Sequence, residues 1–208
     1  MTAVSEHYFT ADPVSDGELR TLAVSLAGSP LDLWTAGGVF SPGRLDRGTQ
    51  VLLAAVPEPP ASGHLLDLGC GWGPISLSLA VRSPAATVWA VDVNARALDL
   101  VRRNALRSGC TNVHACRPDD VPDDVRFAAV WSNPPIRIGK AALHELLLHW
   151  LPRMQPGGHA YLVVQRNLGS DSLQAWLDRE LGGRGFVVAR WATDKGFRVL
   201  EVTAPPAA

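Results

Sequence analysis

The rhythm of hydrophobic and polar positions changes at a Pro-rich stretch, "VPEPPASG" at 56–63. Before it, "LRTLAVSLA" and "LDLWT" read as short β-type runs and "LDRGTQVLLAAV" as a helix. After it, apolar runs alternate with segments of helical spacing. "HLLDLG", "ATVWAVDV", "TNVHACR", "VRFAAVWS" and "GGHAYLVVQR" read as five strands. "GPISLSLAVR", "ARALDLVRRNALRSG" and "GKAALHELLLHWLPRM" read as helices between them. "SDSLQAWLDREL" follows as a further helix, with Ser170 and Asp171 as its start signal. "GRGFVVARWA" and "GFRVLEVTA" close the chain as two strands joined by a short turn, a hairpin.

Strand–helix alternation with short connections predicts an α/β fold with a doubly wound, mostly parallel sheet covered on both faces. The C-terminal hairpin places one antiparallel strand at or near the sheet's edge. A single domain over 1–208 is expected: an N-terminal extension over 1–56 with short strands and a helix, and a core over 63–208. Sheets of this kind bind ligands outside the carboxyl ends of their strands, where strand order reverses.

Composition narrows the function classes. Hydrophobic residues at 47% and charged residues at 19% describe a folded core, not a disordered chain. A net charge of −1 provides no global basic field for nucleic acid, although 19 Lys and Arg leave room for a local basic face. Cys70, Cys110 and Cys116 have no CxxC spacing, which argues against a zinc site and a disulfide framework and fits a reducing cytoplasm. The start, "MTAVSEHYFTADP", lacks the basic-then-apolar order of a signal peptide. No run reaches the ~18 apolar residues of a membrane span. His64, His114, His144 and His149 form no metal spacing, so no metal is expected. Trp89, Trp131, Trp150, Trp176 and Trp191 fall in predicted strands and helices and read as core.

The sharpest signals lie at predicted strand ends. "LLDLGCGWGPISL" at 65–77 places Gly69, Gly71 and Gly73 between a strand and a helix. Glycines admit positive φ, and loop amides with a helix amino end can meet a polar or anionic group. Alone, this pattern also describes a tight strand–helix turn. Asp67 precedes the loop, where a carboxylate repels a pyrophosphate and attracts an ammonium. Asp92 ends the next strand in "AVDVN" and suits a ribose diol. An acid ahead of the loop tips the ligand from NAD towards S-adenosylmethionine, which has an amino-acid end and no phosphate. Asp119, in "CRPDDVPDD", either receives the adenine amino group or is one of four acids on a surface loop.

"SNPPIRIGK" at 132–140 stops a strand with two prolines. Proline fixes φ and has no N–H, and the residue before it is held extended. Asn133 then offers its side-chain oxygen, with a nearby backbone carbonyl, at the strand end. Two acceptors can take both hydrogens of a planar amine, orient its lone pair and stabilise the charge growing on nitrogen. "NPP" alone is a proline-terminated strand. Joined to Asp67, the glycines and Asp92, it reads as methyl transfer from a sulfonium to nitrogen, which needs no metal and no covalent intermediate. A cytosine-C5 methyltransferase needs a nucleophilic Cys near the acceptor, and "SNPP" has none beside it.

These residues resemble a class I S-adenosylmethionine-dependent methyltransferase. "SNPPIRIGK", with "HYFT" at 7–10, "GGVFS" at 37–41 and "LDRG" at 45–48, is similar more narrowly to the methyltransferase small-domain family. That family includes ribosomal RNA guanine-N2 methyltransferases of the small-subunit methyltransferase C type. The resemblance implies a Rossmann-like seven-stranded sheet, S-adenosylmethionine as methyl donor, and a guanine N2 amine in ribosomal RNA or a ribosomal subunit as acceptor. It implies that Asp67, Gly69, Gly71 and Gly73 form the cofactor loop, that Asp92 takes the ribose and Asp119 the adenine. Asn133, Pro134 and Pro135 then form the catalytic corner, with Asn133 also facing the cofactor, and Phe40 lines the substrate pocket.

Ile136 stands where many DNA and protein amine methyltransferases have an aromatic, so stacking on the acceptor falls to Phe40 or Trp72, or is absent. Ile136, Arg137 and Lys140 lie on the substrate side of the corner, and the two cations either meet RNA phosphates or belong to a solvated loop. Three functions stay open: an RNA guanine-N2 methyltransferase, a methyltransferase of a protein glutamine amide or a small-molecule amine, and a non-catalytic cofactor-binding module.

Overall fold

A computed structural model describes residues 15–207, so the "HYFT" motif at 7–10 lies outside the described residues. The chain opens with a hairpin of its own. Strands β1 (Arg20–Leu26) and β2 (Ser29–Thr35) pair antiparallel in a separate two-stranded sheet. Ala27 and Gly28 turn between them with φ of 50° and 78°, the positive pair that a tight hairpin turn requires. Helix α1 (Arg47–Ala55) follows.

The main sheet has seven strands: β3 (Ser62–Leu68), β4 (Ala85–Val91), β5 (Val113–Cys116), β6 (Phe127–Ser132), β7 (Met154–Gln165), β8 (Val187–Asp194) and β9 (Phe197–Thr203). Their order is β5-β4-β3-β6-β7-β9-β8. β3 to β7 run parallel, and β9 lies antiparallel between β7 and β8. The chain winds outward from β3 to β5, then returns to lay β6 on the other side of β3. Strand order therefore reverses between β3 and β6, where the ends of "LLDLG" and "AAVWSNPP" meet.

Four more helices, α2 (Pro74–Arg82), α3 (Ala95–Arg107), α4 (Lys140–Trp150) and α5 (Ser170–Gly182), complete the layers. Alternate strand residues divide between the two faces. Leu65, Trp131 and Val163 pack with Val51 and Leu52 of α1 and Ile75 and Leu79 of α2. Leu66, Leu68, Val130 and Leu162 pack with Leu147 of α4 and Leu177 of α5. The Pro-rich stretch does not interrupt this packing, because α1 lies over the same sheet face as α2. The β1–β2 hairpin is tied on as well: Leu26 and Leu33 pack against Trp72, Leu77 and Leu100.

One boundary differs from the sequence expectation, and the start of α5 at Ser170 agrees with it. α4 ends at Trp150, a 3-10 turn spans Leu151–Arg153, and Met154 already pairs in β7 opposite Phe127. Pro152 has no N–H to extend the helical ladder, which ends the helix before "PRM". α5 is capped by Gly169 in the left-handed region, and Ser170 is a buried residue of its first turn.

Candidate active site

A shallow cleft opens to solvent at the carboxyl edge of β3 and β6. Phe40, Asp46 and Thr49 bound it on one side, Gly69, Cys70 and Gly71 on another, and Asn133 closes it. The glycine loop forms one wall. Gly69, Gly71 and Gly73 have φ of 77°, 55° and 98°, which L side chains rarely adopt. A side chain at 73 would also press on Val101 Cγ2 at 3.2 Å, so this glycine lets α2 and α3 approach. Gly69 and Cys70 donate their N–H groups to the Val91 carbonyl at 2.8 and 3.1 Å, binding the loop to the end of β4.

Two carboxylates stand behind this loop in different environments. Asp92 accepts from Gly71 N at 3.0 Å and from Asn94 N at 2.9 Å, one bond to each oxygen. Burial raises its pKa, and the amide bonds oppose that rise. Asp67 is fully buried beneath the loop and is not among the residues that bound the cleft. Its Oδ2 accepts from Ser76 N at 2.8 Å and Ser76 Oγ at 2.5 Å, while its Oδ1 is buried without a partner. Burial outweighs the Ser76 bonds and pushes its carboxyl up to about 7. Burial also holds the Cys70 thiol well above its usual range, so it is no nucleophile.

The Asn–Pro–Pro corner packs directly on the glycine loop, with Pro135 Cδ 3.7 Å from where a Cβ on Gly69 would lie. Ser132 Oγ donates to the Leu68 carbonyl at 2.6 Å and ties the ends of β6 and β3 together. Pro134 is buried. Pro135, with φ −75° and ψ 72°, sits at the centre of an inverse γ-turn in which Ile136 N donates to the Pro134 carbonyl at 2.8 Å. That carbonyl keeps one lone pair.

The Asn133 side chain has a fixed orientation. Its Nδ2 donates to Asp46 Oδ2 at 2.9 Å and to Thr49 Oγ1 at 3.1 Å. A carboxylate only accepts, so the NH2 end must face Asp46 and the Asn133 Oδ1 is left as an acceptor. Asp46 is itself the N-cap of α1, and its Oδ2 also accepts from Gly48 N at 2.7 Å and Thr49 N at 3.3 Å. Gly48 permits this crowding: a Cβ there would come within 3.0 Å of Asp46 Oδ2 and 3.3 Å of Asn133 Nδ2.

Residues 30–201 match the model of the methyltransferase small domain. The chain belongs to the methyltransferase small-domain family. Among relatives, it is 34% identical over 172 residues to the uncharacterized protein YbxB of Bacillus subtilis (strain 168), covering 81% of this chain and 86% of that one. It is 34% identical over 197 residues to the ribosomal RNA small subunit methyltransferase C of Ectopseudomonas mendocina (strain ymp), covering 92% and 56%. Its fold matches that of the T. thermophilus 16S rRNA N2 methyltransferase RsmC, solved in complex with AdoMet and guanosine, with a TM-score of 0.76 and 23% identity over 93% of this chain and 52% of that one. The chain spans about half the length of the methyltransferase C relatives it matches.

Within this small-domain fold the other expected site residues are dispersed. Phe40 and Trp72 both bound the cleft; Phe40 is 44% exposed, whereas Trp72 is 2% exposed and also packs in the core beneath the hairpin. Of the two rings, Phe40 is the more exposed. Ile136 lies on the 3-10 turn Ile136–Ile138 and packs towards the α4–α5 core, outside the cleft lining. Arg137 and Lys140 are exposed next to that turn. Asp119 is exposed on the turn Pro118–Asp120 and does not bound the cleft. Among the described residues no group of His, Cys, Asp or Glu could hold a metal, and no helix is long and apolar enough to cross a membrane.

Sequence reading gave no role to Asp46, Thr49 or Asn94. Asn94 caps α3 through its Oδ1 and donates its Nδ2 to the Gly38 carbonyl at 2.8 Å, latching the segment that carries Phe40 beside Asp92. An Asp ahead of a helix is a local signal for a cap. Its bond to an Asn 87 residues away has no local signal at all.

Proposed function

We propose that this protein, as one methyltransferase domain over 1–208, is an S-adenosylmethionine-dependent N-methyltransferase acting on the exocyclic N2 amine of a guanine in cytoplasmic ribosomal RNA. The observation that carries the reading is the Asn133 amide, held by Asp46 and Thr49 with its Oδ1 left over at the lip of the glycine-loop cleft.

The residues present fit the cofactor. Asp67 Oδ1 is a buried acceptor without a partner, which an ammonium would satisfy. Gly69 and Gly71 keep side chains out of the cleft wall, and Asp92, held behind that wall by the Gly71 amide at the end of β4, is the carboxylate for a ribose diol. Asp119 is left for the adenine amino group, from its exposed turn. Bound in this cleft, S-adenosylmethionine supplies an activated methyl group.

The protein's own contribution is positioning and charge stabilisation. Asn133 Oδ1 and the remaining lone pair of the Pro134 carbonyl take the two hydrogens of the amine. The amine's lone pair is then turned away from the acceptors, and the positive charge that grows on nitrogen meets two oxygens already in place. Pro134 and Pro135 keep that geometry by removing backbone freedom. Phe40 presents its ring to the acceptor base, Ile136 backs the corner from the core, and Arg137 and Lys140 meet phosphates.

Mass spectrometry of ribosomal RNA nucleosides from a strain lacking the gene tests the reading. N2-methylguanosine is expected to fall by one site per ribosome. Unchanged N2-methylguanosine, with no RNA methylated by the purified protein, hands the site to an amide or a small-molecule amine.

A further inference from the structure

We infer that Asp46 reads the base edge: its free carboxylate oxygen accepts the N1–H of guanine while Asn133 accepts from N2, making Asp46 the residue that selects guanine. The inference rests on the guanine reading above and deepens it.

Three observations carry it. Asp46 bounds the cleft beside Asn133. All its protein partners (Gly48 N, Thr49 N and Asn133 Nδ2) converge on Oδ2. Its Oδ1 has no hydrogen bond within the described residues and is not among the buried unpartnered atoms, so solvent reaches it. Asp46 and Asn133, which both bound the cleft, thus each keep an oxygen free as an acceptor, and the Pro134 carbonyl follows Asn133 in the chain.

A row of acceptors demands a row of donors. The exocyclic amine of guanine is flanked by N1–H, a donor. The amines of adenine and cytosine are flanked by a ring nitrogen lone pair, an acceptor, which a carboxylate repels. Asn133 alone suits any of the three amines, and Asp46 beside it suits guanine. Sites that hydrogen-bond a substrate group reject analogues lacking it, because a polar group of the site is then left unpaired. The same contact helps the chemistry, since a carboxylate on N1–H pushes electron density towards N2.

Asp46→Asn separates reading from scaffolding. The variant's amide oxygen can replace Oδ2 as cap and as acceptor for Asn133, and its amide nitrogen then turns the open acceptor into a donor. The assay uses the target RNA with the substrate base as guanine or as 2-aminopurine, which keeps the 2-amine but has a bare N1. Wild type is expected to prefer guanine by about a hundredfold or more in kcat/KM. Asp46→Asn is expected to cut that ratio at least about tenfold, with cofactor affinity unchanged. If the variant methylates and keeps the wild-type ratio, Asp46 does not read the base, although the guanine reading stands. A second measurement needs no variant: wild type on RNA carrying 1-methylguanine, whose N1 has no hydrogen, is expected to lose at least about tenfold in kcat/KM. Equal rates on 1-methylguanine and guanine overturn the inference. Failure of wild type on guanine itself overturns both readings together.

Discussion

At the scale of single residues, Asp67 shows which effect wins when they compete. Two bonds from Ser76 favour its charged form, full burial disfavours it, and burial prevails, lifting the carboxyl from 3.8 to about 7. The folded chain therefore holds a proton on Asp67 in a pH range where the unfolded chain has released it. This part of the stability is complete below the unfolded value and is lost as pH rises through about 7. A ligand that brings an ammonium to Oδ1 requires the ionised form, so it binds with release of that proton. Affinity for S-adenosylmethionine is expected to be about tenfold weaker at pH 6 than at pH 8 by this linkage. Asp92, also raised by burial, adds to the same trend. Asp67→Asn is expected to flatten most of the dependence. Calorimetry across that range checks it, and a wild-type affinity independent of pH would contradict the role given to Asp67.

Among the elements, the hairpin β1–β2 depends on one buried side chain more than on its surface ion pairs. Asn104 of α3 is fully buried; its Nδ2 donates to the Trp34 carbonyl at 2.8 Å and the Trp72 carbonyl at 3.0 Å, and its Oδ1 accepts from Trp34 N at 2.7 Å. One amide thus joins β2, the glycine loop and α3. Asn104→Ala strands three backbone groups, and each buried unsatisfied group costs about 1–3 kcal/mol. A loss of at least about 2 kcal/mol in unfolding free energy is expected by urea denaturation. In the Arg96–Glu18 pair the carboxylate is half exposed and screened by solvent, so Glu18→Gln is expected to change stability less than Asn104→Ala. Equal effects of the two substitutions would contradict this ordering.

The elements also show what a sequence makes legible. Runs such as "FAAVW" and the helical spacing of 95–107 declared themselves, because each pattern is local. The glycine loop and the Asn–Pro–Pro corner were legible for the same reason: their chemistry lies within a few residues. The insertion of β9 between β7 and β8 was not legible, since pairing partners are chosen by non-local packing. The run "GKAALHELLLHWLPRM" reads as helix to Met154, whereas Pro152 ends the helix and Met154 pairs in β7. Asp46 lay in a quoted motif without a role, because its meaning depends on Asn133, a contact made only when α1 lies across the sheet.

On the scale of the whole molecule, three layers bring a glycine loop, an acid behind it and an acceptor corner to the single place where strand order reverses. With a net charge of −1, the proposed capture of RNA would fall to exposed cations such as Arg137 and Lys140. The central claim is that Asn133, at this cleft, receives the amine that is methylated. Single-turnover transfer of a labelled methyl group from S-adenosylmethionine to ribosomal RNA tests it most directly, with wild type and Asn133→Ala compared and the nucleosides resolved by mass spectrometry. Label is expected in N2-methylguanosine, with a loss of about a hundredfold or more in the transfer rate of Asn133→Ala and no loss of its cofactor affinity. A variant that binds cofactor and transfers methyl at the wild-type rate would contradict the claim.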